Sequence, residues 1–225
     1  MIGWSELIFG SMYCGKSEEL IRRLKRARYA GQKFQLFKPS LDDRYGVDVV
    51  ATHENNKTKK EIEKIIDIHI NEDDFKGKKS LMSEITHQLE GAMEALVVED
   101  SRDLLNHVNK NTNVIGIDEV QFFDEELIEI IDILIQDGKR VICAGLDLYA
   151  SGQPFGIIPT LACTSKYVDK LHAVCMDCGN DAYISYKIDN DLGNKQSKVD
   201  VGSEGKYIAL CEQCKTKREG RNKNE

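Results

Sequence analysis

Four residues near the start of the chain, Gly10, Gly15, Lys16 and Ser17, fill the fixed positions of the pattern G-x-x-x-x-G-K-S within GSMYCGKS. Each residue type has a task in holding phosphate. The glycines let the backbone bend so that successive amides point inward, the lysine reaches the β and γ phosphates, and the serine hydroxyl ligates Mg²⁺. Ser11, Met12, Tyr13 and Cys14 between them supply the main chain of the loop. A second signal stands far along the chain in IGIDEVQFFDEE. Asp118 ends an apolar run, the place from which a carboxylate holds the second Mg²⁺ position of a nucleotide site. Glu119 beside it is left for another task. It would take the proton of an attacking hydroxyl in a kinase or orient water in an ATPase.

The third signal is a cysteine quartet. Of seven cysteines, four form two close pairs, Cys175-x-x-Cys178 and Cys211-x-x-Cys214, with 32 residues between the pairs. Two such knuckles present four thiolates tetrahedrally to Zn²⁺, and a closed four-cysteine shell leaves no open position for catalysis, so the metal is expected to be structural. A redox role for C-x-x-C is the alternative. The separation exceeds the short ribbon spacing of roughly 15 to 20 residues, so a loop must leave and return between the knuckles. The scattered Cys14, Cys143 and Cys163 read as small buried residues. Phe122, Phe123, Phe155 and Tyr207 are candidates to face a planar ligand such as a nucleobase, although each is individually also a core residue type.

These residues need a scaffold that brings strand ends together. Glu6 to Phe9 is a compact strand candidate feeding the glycine-rich loop, and Ser17 to Ala30 then puts Leu20, Ile21, Leu24 and Ala27 on one helical face, with Gly31 as the stop. Further strands are expected at 34–37, 114–117 and 141–144, and a helix capped by Asp124 runs through Leu127, Ile130, Ile131 and Leu134 to Gly138. Strands alternating with helices imply an α/β fold, a mainly parallel sheet covered on both faces. Residues 55–113 show a weaker pattern, with helix periodicity over 81–96. His69, His87 and His107 carry no ligand spacing there and read as solvated or locally bonded. The composition changes near residue 170, giving an expected nucleotide-binding domain over 1–170, a zinc module over 171–215 and a disordered tail over 216–225.

At 225 residues, 41% hydrophobic and 31% charged, the chain can bury one substantial core plus a small module. A net charge of −7 argues against a broad nucleic-acid surface. With neither a membrane-length apolar run nor a signal-like start, a cytoplasmic address and no membrane partner are expected.

In order, GSMYCGKSEELIRRL, FKPSLDDRY, VIGIDEVQFFD, AGLDL, PFG, CMDC and VGSEGKYIALCEQC closely resemble the motifs of the thymidine kinase family whose members carry a zinc-bearing lasso domain. The resemblance covers most of the chain outside 55–113 and the tail. It implies a RecA-like phosphate-loop domain joined to a zinc-ribbon-like lasso domain whose long loop closes over the nucleoside. It implies that thymidine accepts the γ-phosphoryl group of ATP with Mg²⁺, that Glu119 is the catalytic base, and that dTTP restrains a homotetramer. Asp42, Asp43, Arg44, Asp118, Glu119, Val120 and Gln121 match its phosphate-donor side. Phe122, Leu146, Ala150, Phe155, Ser185 and Tyr207 match its base pocket, and Lys198, Val199, Asp200, Val201 and Gly202 match the lasso stretch that holds thymine. Two departures stand out. Ala150-Ser151 replaces an aromatic and a polar or basic residue, and the central segment is longer by about 15 to 20 residues. Altered base preference is therefore one alternative. A nucleic-acid motor is another, since DEVQ resembles a helicase box, but an acidic single domain offers a strand little surface.

Overall fold

The computed structural model describes residues 2–41, 49–51, 92–188 and 206–222. Six strands form the central sheet: β1 (Trp4–Gly10), β2 (Phe34–Pro39), β5 (Leu96–Val98), β6 (Val114–Ile117), β7 (Arg140–Leu146) and β8 (Tyr167–Leu171). Their spatial order is β5-β2-β6-β7-β1-β8, and every adjacent pair is parallel. Parallel strands need crossovers, so their carboxyl ends gather at one rim, where loops can build a site. Two short strands, β3 (Val49–Ala51) and β4 (Ala92–Glu94), pair antiparallel beside the sheet.

Both faces of the sheet are apolar, and alternate side chains divide between two cores. On one side, helix α1 (Lys16–Tyr29) lays Leu20, Ile21, Leu24 and Ala27 over Ile8, Val114, Ile142 and Ala144. On the other, α2 (Ser101–His107), α3 (Glu126–Gln136) and α4 (Ile158–Thr164) cover Leu7, Ile115, Ile117, Val141 and Cys143. Burial of this kind stabilises by about 1.5–3 kcal/mol per large apolar side chain, before conformational entropy is set against it. The helices end as their sequences suggest. Backbone bonds from Gly31 and Gln32 close α1, and bonds from Gly138 and Lys139 close α3, both in the Schellman pattern. The Asp124 carboxylate accepts from Glu126 N–H and from Ser101 N–H, tying the start of α3 to α2.

One buried ion network crosses this layering. Glu6, on β1 next to the edge strand β8, accepts from Arg23 of α1 and Arg140 of β7 at 2.8 and 2.6 Å, and Arg23 reaches on to Asp169 of β8. Burial alone would raise the Glu6 pKa, but Arg140, the Trp4 indole and Arg23 outweigh it and hold the carboxyl below its ordinary value.

The C-terminal part is small and strand-poor. Hairpin β9 (Ala173–Val174) and β10 (Asp181–Ala182) flanks the first cysteine pair; β11 (Ile184–Lys187) and β12 (Tyr207–Leu210) pair ahead of the second, and α5 (Glu212–Asn222) follows.

Three expectations change. Residues 92–96, read as the end of a helix, fall instead in β4 and at the start of β5, while 81–91 lie outside the described residues. Residues 216–222 continue helix α5 instead of forming a disordered tail. Cys163 is exposed on α4, whereas Cys143 is buried and its thiol pushed up to about 12 by that burial. His107 is locally bonded, as expected, through the Asp103 carbonyl at 2.8 Å.

Candidate active site

β1 runs straight into the glycine-rich loop, and α1 begins at Lys16 directly after Gly15. Gly10 has to be glycine: a Cβ there would lie 2.2 Å from the Leu171 carbonyl oxygen. Tyr13 adopts φ 64°, and Glu119, across the site, adopts φ 52°. Among the described residues these are the only non-glycine positions with positive φ. Each costs about 1–2 kcal/mol, and such strain persists where the surroundings over-determine it, commonly at functional sites. The Lys16 ammonium, 9% exposed, donates to the Ser11 carbonyl at 2.8 Å and so lies folded across the loop. The Cys14 thiol stands 3.8 Å from it, with a pKa raised by burial against the pull of Lys16.

The acidic strand end meets this loop. β6 carries Asp118 to the rim, where Ser17 Oγ donates to Asp118 Oδ2 at 3.0 Å. A hydroxyl in the first turn of α1 and a carboxylate 101 residues later thus face one another, the separation expected of two oxygen ligands around one small cation. Asp118 Oδ1 accepts from Glu119 N–H at 3.0 Å, which helps to fix the left-handed turn. The buried Gln121 amide then clasps both neighbours: Nε2 donates to Glu119 Oε2 and Oε1 accepts from Leu146 N–H at 3.0 Å. Gly145 makes room for it, since a Cβ there would sit 2.6 Å from Gln121 Oε1. Val120 contributes no side chain to the rim, because it is wholly buried in the core.

Beside the acids lies an aromatic group. Phe122 meets Phe155 edge-on at 5.6 Å, and Tyr149 stacks on the other side of Phe155 at 3.8 Å. Tyr149 belongs to a hairpin closed by Tyr149 N–H to Gln153 O and Gly152 N–H to Tyr149 O. Ala150 sits exposed at its tip. The ring that stacks on Phe155 is thus Tyr149, one residue before Ala150, a contact that the sequence pattern did not disclose.

Asp147 was also missed. It ends β7 as Asp118 ends β6, it is buried, its N–H donates to Gly10 O, and its Oδ2 lies 3.3 Å from the Lys170 ammonium. An acid closing an apolar strand in AGLDL was the available signal. Ser185 and Tyr207 do approach the site, but through the loop: Ser185 Oγ accepts from Met12 N–H and the Tyr207 carbonyl from Tyr13 Oη. Asp42, Asp43 and Arg44, with Lys198, Val199, Asp200, Val201 and Gly202, lie outside the described residues.

Cys175, Cys178, Cys211 and Cys214 converge, with all four sulfurs within 4.8 Å of one another. The 3.6 Å between Cys178 and Cys211 sulfurs is close to the ~3.8 Å edge of a tetrahedron with Zn–S bonds of about 2.3 Å. Burial would raise the Cys175 pKa, but backbone amides of Cys211, Asp177 and Cys178 aimed at its sulfur hold it below the ordinary thiol value. The donor set fits Zn²⁺.

Fold and site together define a class: an α/β protein whose parallel sheet delivers a glycine-rich loop and two acidic strand ends to one rim, with a four-cysteine cluster consistent with zinc. Compared with known families, residues 3–79 and 61–215 match thymidine kinase, and the chain belongs to the thymidine kinase family. Membership supports a thymidine kinase role. Among solved structures, the chain is similar to a DNA replication initiation factor at 14% identity, over 76% of this chain and 40% of the other, with a TM-score of 0.37. The chain thus spans less than half of that protein, and so slight a likeness has no bearing on function. Among the described residues, no helix is long and apolar enough to cross a membrane.

Proposed function

We propose that the protein is an ATP-dependent thymidine kinase, transferring the γ-phosphoryl group of ATP to the thymidine 5′-hydroxyl and giving dTMP for DNA synthesis by nucleotide salvage. The observation that carries this reading is the 3.0 Å bond from Ser17 Oγ to Asp118 Oδ2, with Glu119 next in the chain and bound by Gln121. It joins a phosphate cradle to a carboxylate pair in a chain of the thymidine kinase family.

Phosphoryl transfer asks the protein for position and charge more than for covalent chemistry. The amides of Ser11, Tyr13, Cys14 and Gly15 and the positive end of α1 receive the phosphates, while Met12 N–H donates to Ser185 Oγ. Lys16 exchanges the Ser11 carbonyl for phosphate oxygens. Ser17 and Asp118 would hold Mg²⁺, which when bound neutralises charge on the β and γ oxygens. Glu119 accepts the proton of the 5′-hydroxyl as that oxygen attacks phosphorus, and Gln121 keeps the carboxylate aimed. On the acceptor side, Phe122, Phe155 and Tyr149 offer aromatic faces, with Leu146 alongside.

Asp42, Asp43 and Arg44 complete the donor side in this reading, and the main chain of 198–202 grips thymine. A wrong base then leaves buried amides unpaired. The four cysteines use every position of a tetrahedral zinc, so the metal pins the lasso without entering the reaction. The reading also comprises a domain division at 170/171, a cytoplasmic homotetramer and feedback by dTTP.

A second reading, a deoxynucleoside kinase of shifted base preference, is favoured by one observation: Tyr149 stacks on Phe155 while Ala150 is exposed at the turn. One experiment separates the two. Incubation with ATP, Mg²⁺ and equal concentrations of thymidine, deoxyuridine, deoxycytidine and deoxyguanosine should give dTMP in excess by 10-fold or more. Predominance of another monophosphate supports the second reading, and no monophosphate at all overturns both.

A further inference from the structure

Three consecutive residues of the glycine-rich loop are tied to the cysteine module. Ser11 Oγ donates to the Ala182 carbonyl at 3.4 Å, Met12 N–H to Ser185 Oγ at 2.9 Å, and Tyr13 Oη to the Tyr207 carbonyl at 3.2 Å. The partners lie at or beside β10, β11 and β12, the strands flanked by the two cysteine pairs. Below these bonds Tyr13 and Cys14 pack against the cluster that contains Cys175, Leu210, Cys211 and Cys214. The loop is thus anchored on the side away from α1 by the module that the cysteines organise.

This matters because the loop works through its main chain. An amide cradle binds phosphate only while its N–H groups stay convergent. Tyr13 holds a left-handed conformation that relaxes without outside support, and that support comes from its hydroxyl on Tyr207 and its ring in the cysteine cluster. Met12 N–H is turned towards Ser185, away from the cradle. The core of this module consists largely of its cysteines and small side chains, so its shape depends on bound metal.

We propose that the metal-bound cysteine module sets the shape of the phosphate loop, with Ser185 as a positioning residue acting through Met12 N–H, so that zinc occupancy and nucleotide affinity are linked. The proposal rests on the reading of the loop as the ATP site. Coupling of this kind is reciprocal: zinc tightens nucleotide binding by the factor by which nucleotide tightens zinc. The module is then more than an anchor for a lid over the acceptor. It also supports the donor side.

The test uses a non-hydrolysable ATP analogue with Mg²⁺ and no nucleoside, so that any acceptor-side role of Ser185 is silent. Ser185→Ala should keep its zinc, weaken the analogue about 5- to 10-fold, and speed amide hydrogen exchange at Met12 by 10-fold or more. Ser185→Thr, which keeps the hydroxyl, should restore both. In wild type, saturating analogue should lower the zinc dissociation constant, measured by chelator competition, by about 5-fold or more. Wild-type analogue affinity and Met12 exchange in Ser185→Ala, or zinc affinity indifferent to the analogue, would overturn the proposal alone. Failure of the wild-type protein to bind the analogue would instead overturn the ATP-site reading, and this inference with it.

Discussion

Gln121 is the residue whose replacement tests the site's geometry most sharply. Its amide is 4% exposed and makes two bonds that nothing else can replace, one to the Glu119 carboxylate and one from Leu146 N–H. Gln121→Met keeps the length and volume of the side chain and removes both bonds, so packing loss stays small. Leaving Leu146 N–H buried without a partner costs about 1–3 kcal/mol, and losing a hydrogen bond to a carboxylate about 1.5–3 kcal/mol. Glu119 stands at the rim and regains part of its share from water, so a net destabilisation of about 2–4 kcal/mol is expected. For a chain of this size that lowers the thermal midpoint by about 4–16 °C. Urea unfolding should show a lower midpoint with an unchanged slope. In the kinase assay kcat should fall at least 10-fold as Glu119 loses its aim, while the affinity for ATP stays within about 2-fold. A stability change below about 0.5 kcal/mol together with wild-type kcat would refute the bridging role.

Three further outcomes are expected. Glu119→Gln should retain ATP binding and lower the transfer rate by about 10² or more, the loss of a positioned base; a wild-type rate would remove Glu119 from that role. Tyr149→Ala should raise the KM for thymidine by about 10-fold and leave the KM for ATP unchanged, in keeping with ~1–1.5 kcal/mol for a lost aromatic stack, and equal effects on both constants would contradict its place on the acceptor side. Because the Glu6 pKa is held down in the folded chain, its stabilising effect is fully present above the unfolded value of about 4.3 and is lost as pH falls through the lower folded value. Glu6→Gln, which leaves Arg23 and Arg140 facing a neutral amide, should cost about 2–3 kcal/mol at pH 7 and flatten the acid side of the stability profile; parallel profiles for the two proteins would argue against the network.

The glycine-rich loop and the acid it meets were legible because their signals are local. A strand, a glycine-rich turn and a helix are contiguous, and Asp118 sits where an apolar run stops, so residue type and order suffice. The cysteine quartet was legible for the same reason, each knuckle being four residues long. What escaped depends on contacts between distant segments. Ala92 to Val98 are rich in helix formers, yet Leu96, Val97 and Val98 pair with Phe37, Lys38 and Pro39, and edge pairing prevails over propensity. Tyr149 was overlooked because the resemblance fixes a position, whereas the hairpin turn decides which ring reaches Phe155. Asp147 carries the same signal as Asp118, an acid directly after an apolar strand, but its place beside Gly10 and Lys170 depends on segments far apart in the chain. Nothing in VQFF discloses that Gln121 joins two strand ends, since that depends on the glycine at 145 in a different strand.

The central claim is that this loop and these acids move phosphate onto a nucleoside. A single-turnover reaction with γ-labelled ATP, Mg²⁺ and excess thymidine tests it directly. The account predicts that the label appears at the 5′ position of dTMP, stoichiometric with enzyme, and that Lys16→Ala abolishes the transfer. Label released only as inorganic phosphate, at a rate indifferent to thymidine, would contradict it.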